Sequence, residues 1–98
     1  MRRLTPANLR KKMGRLKKKI KVVECRLKSK FGDATDYGQN RFVIRLNSAH
    51  RSERSRMNTA IHEAIHVGDF KLSETKVRQL TACVVEVLWR ENYRRIRK

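Results

Sequence analysis

The residues best suited to chemistry are His62, Glu63 and His66, which form an H-E-x-x-H sequence in the second half of the 98-residue chain. On an α-helix, side chains four residues apart lie on one face, so the two imidazoles can point at the same location. Imidazoles with this spacing can bind zinc, and the glutamate between them can act as a general base towards water. The motif therefore predicts a hydrolytic site that uses Zn²⁺.

The alternative is that these are ordinary residues on a helix surface, with Glu63 as a solvated charge. The surrounding sequence favours the metal site, because apolar residues recur with helical spacing through the motif. Gly68 follows the motif as a signal for the end of the helix, and either Ser48 or Ser52 is suited to cap its beginning.

A catalytic zinc ion needs a third protein ligand and one coordination position left open for water. No histidine follows His66, so either the third ligand is an acid or the site is incomplete, and the candidate acids are Asp69, Glu74, Glu86 and Glu91. We favour Glu74, which lies in the first turn of the predicted last helix, at the edge of its apolar stripe, whereas Glu86 points away from that stripe. The predicted stripe consists of Val77, Leu80, Val84, Val87 and Leu88.

No residue stands out as the group that would stabilise an oxyanion. The candidates are His50, Tyr37 and Tyr93, and the sequence does not decide among them.

Two stretches rich in β-branched residues, 20–27 and 41–46, are predicted to be strands separated by a loop over 31–40. We expect them to pair as an antiparallel hairpin with a long connection. As an edge strand beside the motif helix, 41–46 would offer unpaired backbone groups to an extended peptide substrate.

The chain carries 26 Lys and Arg against 9 Asp and Glu, a formal net charge of +17, which favours a polyanionic partner. Residues 1–19 are predicted to form a basic amphipathic arm that contacts the phosphates of DNA or RNA. The cations assigned to this role are Arg10, Lys11, Lys12, Arg15, Lys18 and Lys19. A solubilising, loosely ordered segment is the alternative.

No apolar run is long enough to span a membrane, and no signal peptide is evident. Cys25 and Cys83 lie far apart in apolar runs and are predicted to be reduced core residues. These features together predict a cytoplasmic protein, with no membrane partner.

The order of strand, H-E-x-x-H helix, short connection and acid-initiated helix resembles small phage and prophage zincin-like proteins related to the ImmA/IrrE metallopeptidases. The resembling residues are RFVIRL (41–46) and TAIHEAIHVGDFKLSETKVRQLTACVVEVLW (59–89). The resemblance implies that His62, His66 and Glu74 bind zinc and that Glu63 is the catalytic base. It also implies a phage origin, and hence the host cytoplasm. Family members often have Gly before the second histidine, where this chain has Ile65.

We therefore expect a single α+β domain with a minimal zincin-like fold over 20–98, preceded by the basic arm over 1–19. A short antiparallel hairpin or edge sheet would pack on the H-E-x-x-H helix and a C-terminal helix. The predicted function is zinc-dependent hydrolysis of peptide bonds in a protein or peptide substrate. The alternative is a basic nucleic-acid-binding protein on the same scaffold, with a structural or inactive metal site.

Overall fold

Strand β3, Arg41–Asn47, lies at the centre of the fold in the computed structural model, which describes residues 18–50 and 52–94. Its sequence, RFVIRLN, alternates so that Phe42, Ile44 and Leu46 are buried on one face. Two strands flank it and two helices follow it. These elements are β1 (Lys19–Cys25), β2 (Gly32–Asp36), α1 (Glu53–Gly68) and α2 (Glu74–Arg90). The expected α+β class is confirmed.

The sheet is mixed, with the strand order β1-β3-β2. Strand β1 is parallel to β3, with Lys19 opposite Arg41, and β2 is antiparallel to β3. The predicted antiparallel pairing of 20–27 with 41–46 is therefore wrong, and so is the placement of 41–46 at an edge. The physical reason is that the predicted loop contains β2, which reverses the chain once more before β3 begins.

Strand β2 is joined to β3 by a tight turn. Gly38, Gln39 and Asn40 have positive φ values of 82°, 55° and 59°. Glycine and asparagine tolerate this conformation best. The Asp36 carboxylate accepts a hydrogen bond of 2.8 Å from the Gly38 amide, which stabilises the reversal.

An ion-pair cluster also joins β2 to β3. Arg45 donates from Nε to Asp33 Oδ1 over 2.8 Å and makes a second contact with the other carboxylate oxygen. Lys30 Nζ lies 2.8 Å from Asp33 Oδ2. The hydrogen bond from Arg45, supplemented by Lys30, lowers the pKa of Asp33 to about 2 despite partial burial.

Helix α1 packs on β2, β3 and α2, and its buried Val67 joins the apolar side chains of β3 in the core. Ser52 caps its N-terminus by accepting a hydrogen bond of 3.1 Å from the Ser55 amide, which selects one of the two predicted caps. As predicted, the helix ends at Gly68. Among the described residues, no helix is long and apolar enough to cross a membrane.

Helix α2 begins at the predicted cap, Ser73, whose side chain accepts from the Lys76 amide at 3.2 Å. Its buried residues are Val77, Thr81 and Val85, so the predicted stripe is correct at Val77 and wrong at Leu80, Val84 and Val87, which are exposed. The inward face includes a polar residue because the Thr81 hydroxyl donates to the Val77 carbonyl at 2.7 Å, which satisfies a buried polar group.

The two cysteines are free thiols in different environments. Cys25, at the end of β1, is partly buried, whereas Cys83 is exposed on α2, contrary to the expectation that both lie in the core. The buried face of α2 explains the difference, because Cys83 lies outside the face formed by Thr81 and Val85.

Candidate metal centre

Three side chains from the two helices converge at one location, namely His62, His66 and Glu74. His66 Nε2 lies 2.6 Å from Glu74 Oε1, and His62 Nε2 lies 3.2 Å from Glu74 Oε2. One nitrogen or oxygen atom from each residue can be chosen so that all three lie within 4.8 Å of one another. These are the two motif histidines and the acid that the sequence analysis favoured.

The helix geometry explains this convergence. His62 and His66 occupy successive turns of one face of α1, with ring centroids 4.9 Å apart in an edge-to-face arrangement. The chain then turns through the short segment 69–73, and α2 begins at Glu74. The carboxylate therefore lies in the first turn, where the positive end of the helix dipole favours a negative charge.

Glu74 is largely exposed, and its side chain is held by the two imidazoles. Partial desolvation acts to raise the pKa of Glu74, but the hydrogen bond with His66 and the charges of His62 and Arg78 together leave it lowered. The carboxylate is thus favoured in its ionised form, which is the form that binds metal ions.

Aromatic packing orients the second histidine. The ring of Phe70 stacks on His66 with a centroid distance of 6.5 Å, and it also stacks on Phe42 of the core at 6.0 Å. The imidazole is therefore connected to the hydrophobic core through Phe70. The sequence analysis treated Phe70 only as part of a connection and did not identify this role.

Glu63 is partly buried beside the two histidines. Burial raises the pKa of its carboxyl group. The electrostatic interactions with His62 and His66 act to lower this pKa, but the effect of burial is larger. Its carboxylate makes no hydrogen bond or ion pair to another described residue. Such a carboxylate is available to exchange a proton with a bound molecule.

An open cleft of about 440 Å³ lies along the middle of α1 and is lined by His62, Glu63 and Glu74. A second, smaller depression of about 270 Å³ continues past Glu63 towards His66 and Phe70. Gly32, the first residue of β2, lines both. The full walls of the larger cleft also include Ser29, Lys30, Phe31, Gly32, Asn58, Thr59 and Arg78.

None of the three oxyanion candidates lines these two depressions. Tyr37 and Tyr93 are exposed outside them, and His50 stacks on Phe31 at a centroid distance of 6.0 Å. Arg78, which the sequence analysis did not single out, does line the cleft. Its position four residues after Glu74 on one helix face is the signal that would have identified it.

The other acids considered as ligands lie elsewhere. Asp69 follows α1 as its C-cap, and its carboxylate accepts from the Lys71 amide at 2.9 Å. Glu86, whose side chain is 45% exposed, accepts from Arg54 at 2.8 Å and from Arg90 at 2.7 Å, so it links the two helices at the surface. Glu91 is the C-cap of α2.

Two of the six cations assigned to nucleic acid lie in the described part of the chain. Lys18 donates to the carbonyl of Val67 at 2.8 Å and lies over the ring of Phe42, whereas Lys19 is the exposed first residue of β1. Lys18 is thus engaged with the end of α1. The other four, Arg10, Lys11, Lys12 and Arg15, lie outside the described residues, as does most of the predicted arm.

Comparisons with protein-family models, with curated proteins and with solved structures found no match for this chain. Arguments about function therefore rest on the arrangement of the side chains described above.

Proposed function

We propose that this protein is a zinc-dependent peptidase with a minimal zincin-like architecture, related to the ImmA/IrrE metallopeptidases. The observation that carries the proposal is the convergence of His62, His66 and Glu74, with Glu63 beside them in an open cleft. Two histidines and one glutamate are a recognised ligand set of catalytic zinc, and they leave a fourth position open.

The three side chains suit a zinc ion in size as well as in chemistry. Tetrahedral zinc with bonds of about 2.0–2.1 Å separates neighbouring ligand atoms by roughly 3.3 Å. The ligand atoms here lie within 4.8 Å of one another, so small side-chain rotations would suffice. The carboxylate of Glu74 lies 2.6 Å from one imidazole nitrogen and 3.2 Å from the other, so it would turn slightly outward to admit an ion between the three groups.

When bound, zinc would polarise the scissile carbonyl and lower the pKa of a water molecule. Glu63 would accept a proton from the attacking water and then donate it to the nitrogen of the leaving amine. The position of Glu63 supports both steps, because it lines the open cleft and its carboxylate makes no hydrogen bond or ion pair to another described residue.

The substrate would lie along β2 rather than along β3. Within the described part of the chain, β2 has a strand neighbour on one side only, and Gly32, Asp33 and Ala34 line the depression beside Glu63. An extended peptide added to this edge would cross the site. A bound peptide analogue should protect the amides of 32–36 from hydrogen exchange, and unchanged exchange there would contradict this placement.

The decisive experiment combines metal analysis with one substitution. Purified protein should contain one zinc ion per chain, and Glu63→Gln should abolish cleavage of a peptide mixture while retaining the zinc. Glu91→Gln is the matched control, because it makes the same change at the C-cap of α2, outside both depressions, and should leave cleavage unchanged. Protein without stoichiometric zinc, or an active Glu63→Gln variant, would refute the proposal.

The second candidate is a nucleic-acid-binding protein on this scaffold. It is supported by exposed cations on the sheet face opposite the helices: Lys19, Lys21 and Arg41. Because these side chains would contact phosphates, binding should weaken steeply with salt. Replacing all three by Gln should reduce both the affinity for DNA or RNA and its salt dependence, while zinc content stays constant. Equal binding by the variant and the parent would exclude this surface.

A further inference from the structure

The larger cleft extends beyond the metal ligands to two cationic side chains. Lys30 lies just before β2, and Arg78 lies on α2, one turn after Glu74. Both line the same cleft as Glu63. A molecule that occupies the cleft beside the catalytic base would therefore meet positive charge.

Arg78 differs from the arginines whose guanidinium groups are engaged elsewhere in the fold. It makes no hydrogen bond or ion pair to a described residue, although its charge contributes to lowering the pKa of Glu74. By contrast, several other arginines contact carboxylates: Arg45 contacts Asp33, Arg56 contacts Glu24, and Arg54 and Arg90 contact Glu86. The guanidinium of Arg78 thus keeps its donors for a molecule bound in the cleft.

Lys30 adds to this positive charge even though it has a partner. Its Nζ lies 2.8 Å from Asp33, but the same carboxylate also receives two contacts from Arg45. One negative charge therefore faces two positive ones, and the cluster at the start of β2 carries an excess of positive charge. The two positive charges of a bound zinc ion would neutralise the two negative charges of Glu63 and Glu74, so these acids would not repel an anionic ligand.

We propose that the cleft selects polypeptides with an aspartate or glutamate next to the scissile bond, and that Arg78 is the specificity-determining residue. The proposal rests on the peptidase function argued above and names its substrate class. A guanidinium can bind a carboxylate through two parallel hydrogen bonds, which gives both energy and geometric selection. Lys30 contributes charge without this geometry.

The test begins with the full, zinc-loaded chain and a library of peptides derived from proteolytic digests, with cleavage sites located by mass spectrometry. We expect Asp and Glu to be enriched within two positions of the cleaved bond. A fluorogenic peptide built from a preferred site should be cleaved about 10–100-fold more efficiently in kcat/KM than its Glu→Gln counterpart, as expected for a charge-assisted contact. Cleavage without an acidic preference would overturn the proposal and leave the peptidase assignment intact.

Substitutions on α2 then identify the residue responsible. Arg78→Gln should reduce the preference to a few-fold by slowing cleavage of the acidic peptide alone, and Arg78→Lys should give an intermediate value. Lys76→Gln removes the same charge from the same exposed helix outside the cleft, so it should retain the full preference. If Arg78→Gln slows both peptides equally, Arg78 serves catalysis or folding and the specificity proposal fails.

A binding measurement separates this proposal from the peptidase assignment. The zinc-loaded Glu63→Gln protein should bind the labelled acidic peptide at least about tenfold more tightly than the neutral one, by fluorescence anisotropy. Adding Arg78→Gln should remove the difference. Tighter binding of the acidic peptide supports the recognition of acidic residues even if the parent protein cleaves neither peptide. The absence of cleavage would refute only the peptidase function. Equal binding of the two peptides overturns the proposal.

Discussion

Replacing Gly32 by alanine would test how closely the sheet approaches the helix that carries His62 and His66. Gly32 is the first residue of β2 and lines the cleft. A Cβ atom built there would lie 2.7 Å from the Arg45 carbonyl oxygen and 2.7 Å from Cγ2 of Thr59. Thr59 belongs to α1, three residues before His62. Glycine is therefore required because strand and helix meet without room for a side chain.

The size of the effect follows from these distances. Each contact would have to lengthen by about 0.7 Å to become ordinary, and one of the two atoms belongs to the backbone of the central strand. Overpacking of this kind costs about 1–3 kcal/mol. Alanine recovers about 0.4–1 kcal/mol by restricting the unfolded chain. We expect a net loss of about 1–2 kcal/mol, which lowers the midpoint of thermal unfolding by about 5–15 °C.

Thermal and denaturant unfolding followed by circular dichroism would measure this loss. Gly68→Ala is the matched control, because a Cβ at Gly68 has no neighbour within 4 Å and alanine favours the last turn of α1. It should be neutral or slightly stabilising. Adding Thr59→Ser to the Gly32 variant removes Cγ2 and should restore part of the loss. If Gly32→Ala unfolds at the same temperature as the control, the strand and helix are not packed as described.

Three further outcomes are expected. Because the pKa of Asp33 is lowered to about 2, its ion pair should contribute stability above pH 4 that is lost as the pH falls towards 2. Asp33→Asn should therefore lower the free energy of unfolding by about 1 kcal/mol at pH 7. This is less than the full shift of the Asp33 pKa implies, because Arg45 is partly exposed. In denaturant titrations at acid pH, the parent and the variant should have the same free energy of unfolding. Glu74→Gln should weaken zinc binding by at least about tenfold in chelator competition, and unchanged affinity would remove Glu74 from the ligand set. Val67 is 1% exposed, so Val67→Ala should lower the free energy of unfolding in urea by about 2–3 kcal/mol. Val87 is 60% exposed, so Val87→Ala should lower it by less than about 0.5 kcal/mol. Equal losses in the two variants would contradict the assigned core.

The sequence was most informative where structure depends on local spacing. The separation of His62 and His66 specified a shared helix face, and Ser73 with Glu74 specified the beginning of the next helix. The helical argument also favoured Glu74 among four acids, and the structure brings it to the two imidazoles. These features are local because a cap or a helix face involves only residues within one or two turns.

Pairing between distant segments was less predictable. Strand β2 has the sequence GDATD, which lacks the alternation of apolar residues that identifies a strand. It forms because β3 has an unpaired edge and because Asp33 lies opposite Arg45, so the tertiary context outweighs the local preference. Without β2, the sequence pattern predicts that β1 and β3 are consecutive strands and pair in antiparallel orientation. The structure pairs them in parallel, because β2 lies between them in the chain.

The inward face of α2 was misplaced for a different reason. The stripe had been defined by apolar residues alone, and this excluded Thr81, which is buried with its hydroxyl bonded to the Val77 carbonyl. A threonine that satisfies its own hydroxyl within the helix can occupy a core position. Residues such as Arg78 and Phe70 were missed because their importance depends on which side chains the fold places beside them.

The three convergent ligands all lie between residues 62 and 74, on two helices joined by a short turn. The strand proposed to bind the peptide, β2, by contrast precedes these helices in the chain. The proposed metal site would thus depend on contacts between residues close in sequence, whereas the proposed substrate site would depend on long-range strand pairing. The helical pair should acquire its ion early in folding, before the sheet docks, and a lesion in the sheet should impair turnover far more than metal retention.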